Sequence, residues 1–124
     1  MRYLILIFSA CLYIASFNGS AMAQDSFLEG FPDIPHLDGF DIIDESLMVF
    51  DSASGTVAEV SMYTDKSITE GLTAYNDSLG GLSWSCVRVK SRISCQRDGF
   101  LVTIIASQDR QKRARVTLRS EPKS

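Results

Sequence analysis

The chain has 124 residues, 45 % of them hydrophobic and 22 % charged, with 12 Lys plus Arg against 15 Asp plus Glu. This is room for one folded domain, and the balance excludes a disordered or low-complexity chain. A net charge of −3 without a nucleic-acid-binding motif argues against a nucleic-acid partner.

Met1–Ala23 reads as a secretory signal peptide. Arg2 supplies the positive start, Tyr3–Phe17 an apolar run, Asn18-Gly19-Ser20 the break, and Ala21-Met22-Ala23 a small-residue cleavage site. The apolar run is short of the roughly 20 residues that a bilayer-spanning helix needs. Export to the periplasm with cleavage after Ala23 is therefore expected, leaving a mature chain that is not an integral membrane protein. A retained anchor and a lipoprotein site at Cys11 are the weaker alternatives. Cleavage removes Cys11 and leaves Cys86 and Cys95.

Gln24–Glu45 is acidic, with Phe27, Leu28, Phe31, Ile34, Leu37 and Phe40 scattered through it. Pro32 and Pro35 oppose a helix there, and Asp38-Gly39 is a turn pair. An extended arm is expected, pinned by its apolar residues, with a short strand near Phe40–Ile43. Residues 46–120 form the expected domain. Leu47–Asp51, a turn at Ser52–Gly55 and the alternating Thr56–Thr64 read as a β-hairpin.

Ser67–Trp84 is the strongest helical stretch after the leader. Ser67 and Glu70 form a capping box, and Ile68, Leu72, Tyr75 and Leu79 make one apolar stripe. Gly80-Gly81 is the expected stop, in the left-handed conformation that glycine tolerates. Strands are predicted at Ser83–Val89, Arg92–Arg97, Phe100–Ser107 and Ala114–Ser120, with turns at Lys90-Ser91, Asp98-Gly99 and Gln108–Lys112. The residues 121–124 are expected to fray. The order β-β-α-β-β-β-β predicts an α+β fold: a two-layer sandwich, one helix packed on an antiparallel sheet.

A hairpin turning at Lys90-Ser91 sets Cys86 opposite Cys95 in a non-hydrogen-bonded pair, where side chains are closest. A structural disulfide is the leading expectation in an oxidising compartment. Two reduced core cysteines are the alternative. A redox-active pair lacks both C-x-x-C spacing and a helix N-terminus.

Charge is split along the chain. Gln24–Gly81 holds twelve acids against Lys66, whereas Leu82–Ser124 holds ten bases against Asp98, Asp109 and Glu121. Either the two halves pair within one molecule, or a basic sheet face meets an anionic surface or an acidic partner. In the last strand Arg115, Thr117 and Arg119 alternate with Val116 and Leu118, so one face is wet. Arg113, Arg115 and Arg119 are the candidate partner-binding residues, on a strand that is also a candidate sheet edge. His36 lies near Asp33, Asp38, Asp41 and Asp44, but the spacing fits neither an EF-hand nor a zinc motif, so no metal or other cofactor is expected. No nucleophile elbow, phosphate-binding loop or zinc-protease motif is present.

Ile34-Pro35-His36-Leu37-Asp38-Gly39-Phe40, the helix end Tyr75-Asn76-Asp77-Ser78-Leu79 with Gly80-Gly81-Leu82-Ser83-Trp84, and the Asp98-Gly99 turn together resemble a loose group of small exported bacterial domains of uncharacterised function. Ser83 stands where glycine usually precedes the tryptophan in that pattern. The resemblance implies the fold and brings no catalytic residue. A non-enzymatic domain that binds another envelope protein or an anionic envelope component is the expected function. A small-ligand carrier with an apolar pocket between helix and sheet is second, and an enzyme of unknown class third.

Overall fold

Alternation of apolar and polar residues organises the hairpin that starts the sheet. The structure is a computed structural model that describes residues 26–123, so the leader with its cleavage site, the first two residues of the arm and Ser124 lie outside the described residues. Strand β1 is Phe40–Ile42, β2 is Met48–Ser52 and β3 is Gly55–Thr64. The turn between β2 and β3 is tighter than Ser52–Gly55: Ser52 pairs with Gly55 across a two-residue loop. Helix α1 spans Ile68–Gly81, followed by β4 Ser85–Val89, β5 Arg92–Arg97, β6 Phe100–Gln108 and β7 Ala114–Pro122.

The seven strands form one antiparallel sheet, in the order β1-β3-β7-β6-β5-β4, with β2 also on β3. The short segment near Phe40 is thus a true strand, which gives β-β-β-α-β-β-β-β. β1 and β2 lie end to end along the same side of β3, on Met62–Thr64 and Gly55–Glu59 respectively. Ser46 fills the gap between them. Its hydroxyl donates to the Ser61 carbonyl and accepts from the Ser61 N–H, each at 3.1 Å, in place of a strand's backbone.

The last strand is not an edge. β7 runs between β3 and β6, because the chain returns after the β4–β5–β6 meander to close against the first hairpin. It also runs past the end expected at Ser120: Glu121 pairs with Leu101 and Pro122 with Phe100, and the Lys123 N–H donates to the Gly99 carbonyl. The Asp98-Gly99 turn has positive φ at both residues, 51° and 83°, which matches the twist of a two-residue hairpin.

One face of the sheet carries the core. Val60, Met62, Val102, Ile104, Val116 and Leu118 face α1, whose Leu72, Tyr75 and Leu79 are fully buried. Ile68 is half-buried against the same cluster. The capping box forms as the sequence dictates: the Glu70 N–H donates to Ser67 Oγ and the Ser67 N–H to Glu70 Oε1. The stop differs. Gly80 and Gly81 stay helical, Leu82 is the C-cap, and Ser83 takes the left-handed conformation at φ 73°. The Ser83 N–H donates to the Gly80 carbonyl and the Trp84 N–H to the Leu79 carbonyl, the two bonds of a Schellman motif. The two glycines therefore leave the helix's end to the residue beyond them. A Cβ-bearing residue in this conformation costs roughly 1–2 kcal/mol. Ser83→Gly is expected to raise stability by about 0.5–1 kcal/mol, after the extra chain entropy of glycine is subtracted. A raised midpoint in thermal unfolding checks it.

The arm folds onto its own domain. Leu28, Phe31, Ile34 and Phe40 are buried in the common core. A single bridge, Phe27 to Pro35, closes the loop around Leu28–Ile34. Tyr75 anchors it: its hydroxyl donates to the Pro35 carbonyl at 2.8 Å, and its ring meets Phe40 edge-on with centroids 5.1 Å apart. Burial pushes the Tyr75 phenol well above its ordinary value, against a weak opposing bond from the Leu37 N–H. Above the ordinary phenol value, near pH 10, the unfolded chain loses this proton while the folded chain keeps it. Stability then falls with rising pH by up to about 1.4 kcal/mol per pH unit, until the raised folded value is reached. Urea titrations of wild type and Tyr75→Phe across that range are expected to diverge, the variant lacking this part of the slope.

Candidate binding face

The pleat that buries one side of the sheet leaves the other side uncovered among the described residues. β7 contributes Arg115, Thr117, Arg119 and Glu121 to this open face, and β3 contributes Glu59, Ser61 and Tyr63, in register. The three arginines singled out by the sequence do gather here, but they are not equally available. Arg119 lies 3.0 Å from Glu59 and 3.2 Å from Glu121. The hydrogen bond with Glu121, opposed by desolvation and joined by the one with Glu59, holds its guanidinium above its ordinary range. Arg113, just before β7, pairs with Asp109 at 3.0 Å, and its guanidinium lies 3.8 Å from the centroid of the Tyr63 ring. Desolvation alone would raise the Asp109 carboxyl. The Arg113 N–H, charge and side chain, with the Gln111 N–H, bring it below its ordinary value instead.

Arg115 differs. It donates to Ser61 Oγ at 3.3 Å, and among the described residues no carboxylate comes within ion-pair distance of it. The same holds for Arg92 on β5, which lies between Val89 and Ile105 in the register. Val87 and Val89 on β4 are 66 % and 59 % exposed, and Ile105 on β6 is exposed beside them. This corner of bare cation and apolar surface was not among the sequence candidates. Its trace in the sequence is Val87-Arg88-Val89, whose alternation puts both valines on the face opposite Arg88, which bonds Thr73 of α1.

Elsewhere the two charge halves do pair within the molecule. Arg97 Nη2 donates to Asp33 of the arm at 2.6 Å, and Nη1 to the Leu82 carbonyl at the helix end at 2.8 Å. The guanidinium also lies 4.9 Å from the Trp84 ring centroid. Asp98 is 3.4 Å from Arg97 Nε without hydrogen-bond geometry, so that nitrogen and Trp84 Nε1 are buried without a partner. Acidic arm, helix end and basic sheet therefore meet at one guanidinium.

The His36 Nε2–H donates to the Phe40 carbonyl and closes the Asp38-Gly39 turn, which is a structural duty. Among the described residues no three His, Cys, Asp or Glu side chains converge as metal ligands. Two hollows flank α1 at its ends. One, of about 750 Å³, has Lys66, Glu70, Lys112 and Arg113 in its wall, and the other, of about 480 Å³, has Phe27, Pro35, His36 and Leu82. Cys86 and Cys95 are joined by a disulfide in the expected register, their Cα atoms 4.0 Å apart. The bond suits an oxidising compartment. Among the described residues no helix is long and apolar enough to cross a membrane. Compared with family models, with curated proteins and with solved structures, the chain matches none of them.

Proposed function

We propose that this is an exported, non-enzymatic binding domain of the periplasm, released from its leader after Ala23, whose open sheet face receives another envelope protein or an anionic envelope component. The observation that carries the reading is the corner where Arg92 stands in register between Val89 and Ile105, with Arg115 further along the same face. Cations without local counterions attract an anionic surface, and the apolar residues beside them give it something to bury. Arg113 and Arg119 serve chiefly to hold the sheet's own acids, so the recognising charges shift to Arg92 and Arg115.

The test compares wild type with Arg92→Glu/Arg115→Glu, both first shown to unfold at the same midpoint. Binding to phosphatidylglycerol vesicles, with phosphatidylcholine vesicles as reference, and crosslinking in the envelope are measured side by side. A loss of about tenfold or more at low ionic strength supports the face in whichever assay binds. Equal binding by both proteins, or none by either, overturns the reading.

A further inference from the structure

The register sorts the charges of the sheet by end as well as by face. Ala114 of β7 pairs with Thr64 on one side and Gln108 on the other, and Arg92 pairs with Ile105 and with Val89. The start of α1, the β4–β5 turn and the β6–β7 turn therefore stand at one end. Along β7, β6, β5 and β4 this end carries Arg113, Arg115, Arg110, Lys112, Arg92 and Lys90, with Asp109 the one acid among them. Its other acids, Asp38, Asp41, Asp65 and Glu70, lie beyond β7, about β1, the end of β3 and the first turn of α1. The opposite end holds Asp51 beside the β2–β3 turn and Asp98 in the β5–β6 turn. β6 has nine residues, so the two ends are about 26 Å apart, more than twice the Debye length of about 8 Å at physiological salt. The basic end therefore acts on its surroundings without screening by the acids of the other.

Asp109 builds this end and does not neutralise it. Its Oδ1 accepts from the Gln111 and Arg113 N–H groups, each at 2.9 Å, and its Oδ2 from Arg113 Nε at 3.0 Å. The whole carboxylate is engaged within the turn and balances Arg113 alone. The Ala106 N–H donates to the Ser91 carbonyl at 3.0 Å, which ties the β4–β5 turn to β6 beside it. Among the described residues, none of Lys90, Arg92, Arg110, Lys112 and Arg115 is in an ion pair, and all but the half-buried Arg115 are exposed. No hollow gathers them: the one at the start of α1 takes in Lys112 and Arg113 only. A small anion neutralises one or two of these cations, whereas an extended anionic surface meets them all.

We propose that this basic end docks on a bilayer surface rich in anionic phospholipid, with Lys90, Arg92, Arg110, Lys112 and Arg115 on the lipid phosphates. The proposal rests on the reading of the open face as the binding face, and names which envelope component that face meets. The apolar neighbours select a bilayer over a soluble polyanion. Val89 and Ile105 flank Arg92 in the register and are 59 % and 39 % exposed. A soluble polyanion would pair with the bases and leave these side chains in water. A bilayer takes both, the cations among its phosphates and the apolar side chains at the boundary with the acyl chains. Charge also fixes the orientation. The chain is net negative at −3, so an anionic surface repels most of the molecule and attracts this end.

Cosedimentation with phosphatidylglycerol vesicles and with phosphatidylcholine vesicles tests it, with thermal unfolding of each variant as the folding control. Wild type is expected to bind the first and not the second, and to be released by high salt. The first variant is Lys90→Asn/Arg110→Gln/Lys112→Asn, with asparagine at the two positions of positive φ, 57° and 64°, so that the turns are kept. Each base near an anionic leaflet strengthens binding about fivefold, so the loss of three is expected to weaken it about a hundredfold. The second variant, Val89→Thr/Ile105→Thr, keeps every charge and is expected to weaken vesicle binding about tenfold. Undiminished vesicle binding by the first variant overturns the proposal. Undiminished binding by the second overturns the bilayer as occupant, since charge alone then suffices and a soluble polyanion would serve. A wild type that ignores phosphatidylglycerol overturns the proposal too. In that case envelope crosslinking that Arg92→Glu/Arg115→Glu abolishes leaves the binding face standing with a protein partner, and its absence removes the face as well.

Discussion

Leu72→Ala is expected to lower the unfolding free energy by about 3–5 kcal/mol, and Trp84→Ala by a similar amount. Leu72 is fully buried in the single cluster that joins α1 to the sheet. Its loss removes apolar transfer energy and leaves a cavity that β-strands on one side and a capped helix on the other are poorly able to close. Trp84 is the residue on which the helix end, the start of β4 and the Arg97 guanidinium converge. Removing its indole also strips Arg97 of the surface on which it lies. Trp84→Phe separates the causes: it keeps most of the apolar area and deletes an indole N–H that is buried without a partner. It is expected to cost clearly less than alanine. Urea unfolding followed by far-ultraviolet circular dichroism measures all three, and a midpoint unmoved in Leu72→Ala would mean that the helix does not pack as described.

Breaking the Cys86–Cys95 disulfide is expected to cost about 2.5–3 kcal/mol, the loop-closure entropy of the ten-residue ring it closes. The two cysteines face each other on the helix side of the β4–β5 hairpin, and Cys95 is completely buried opposite Val102 of β6. The measurement is the urea midpoint of wild type with and without reductant. Cys86→Ala/Cys95→Ala serves as the variant that reductant cannot affect. The reduced wild type should fall toward the double variant. If reductant leaves the wild-type midpoint unchanged, the bond contributes nothing to holding the edge.

What the sequence made legible was whatever is written in short-range pattern. The capping box at Ser67 and Glu70, the Leu72, Tyr75 and Leu79 stripe, the Asp98-Gly99 turn and the opposition of Cys86 and Cys95 are set by neighbours within about ten residues, where one periodicity or one register rule suffices. What stayed hidden depends on partners far along the chain. Nothing within Ala114–Ser120 says that Glu59 will lie across from Arg119, and without that contact the strand resembles a wet edge. The left-handed residue escapes local pattern for a different reason: glycine propensity favours Gly80 and Gly81, but the helix runs on until the Leu79 carbonyl can meet the Trp84 N–H. The candidate face was half legible. Its basic character follows from composition, whereas the neutralised arginines could be told from the free ones only once the strand order was known.

The central position of β7 has a kinetic consequence. Seven of its residues pair with β3, across separations from Thr64–Ala114 to Ala58–Ser120, so the core cannot close until the C-terminal strand is in place. Contacts this distant in sequence slow folding, because a large loop must be ordered before they form. A chain emerging N-terminus first will have its helix and first hairpin available long before the strand that joins them to the meander. It therefore stays open and loosely structured until Ala114–Pro122 has emerged, an interval in which its apolar strands are exposed to other chains.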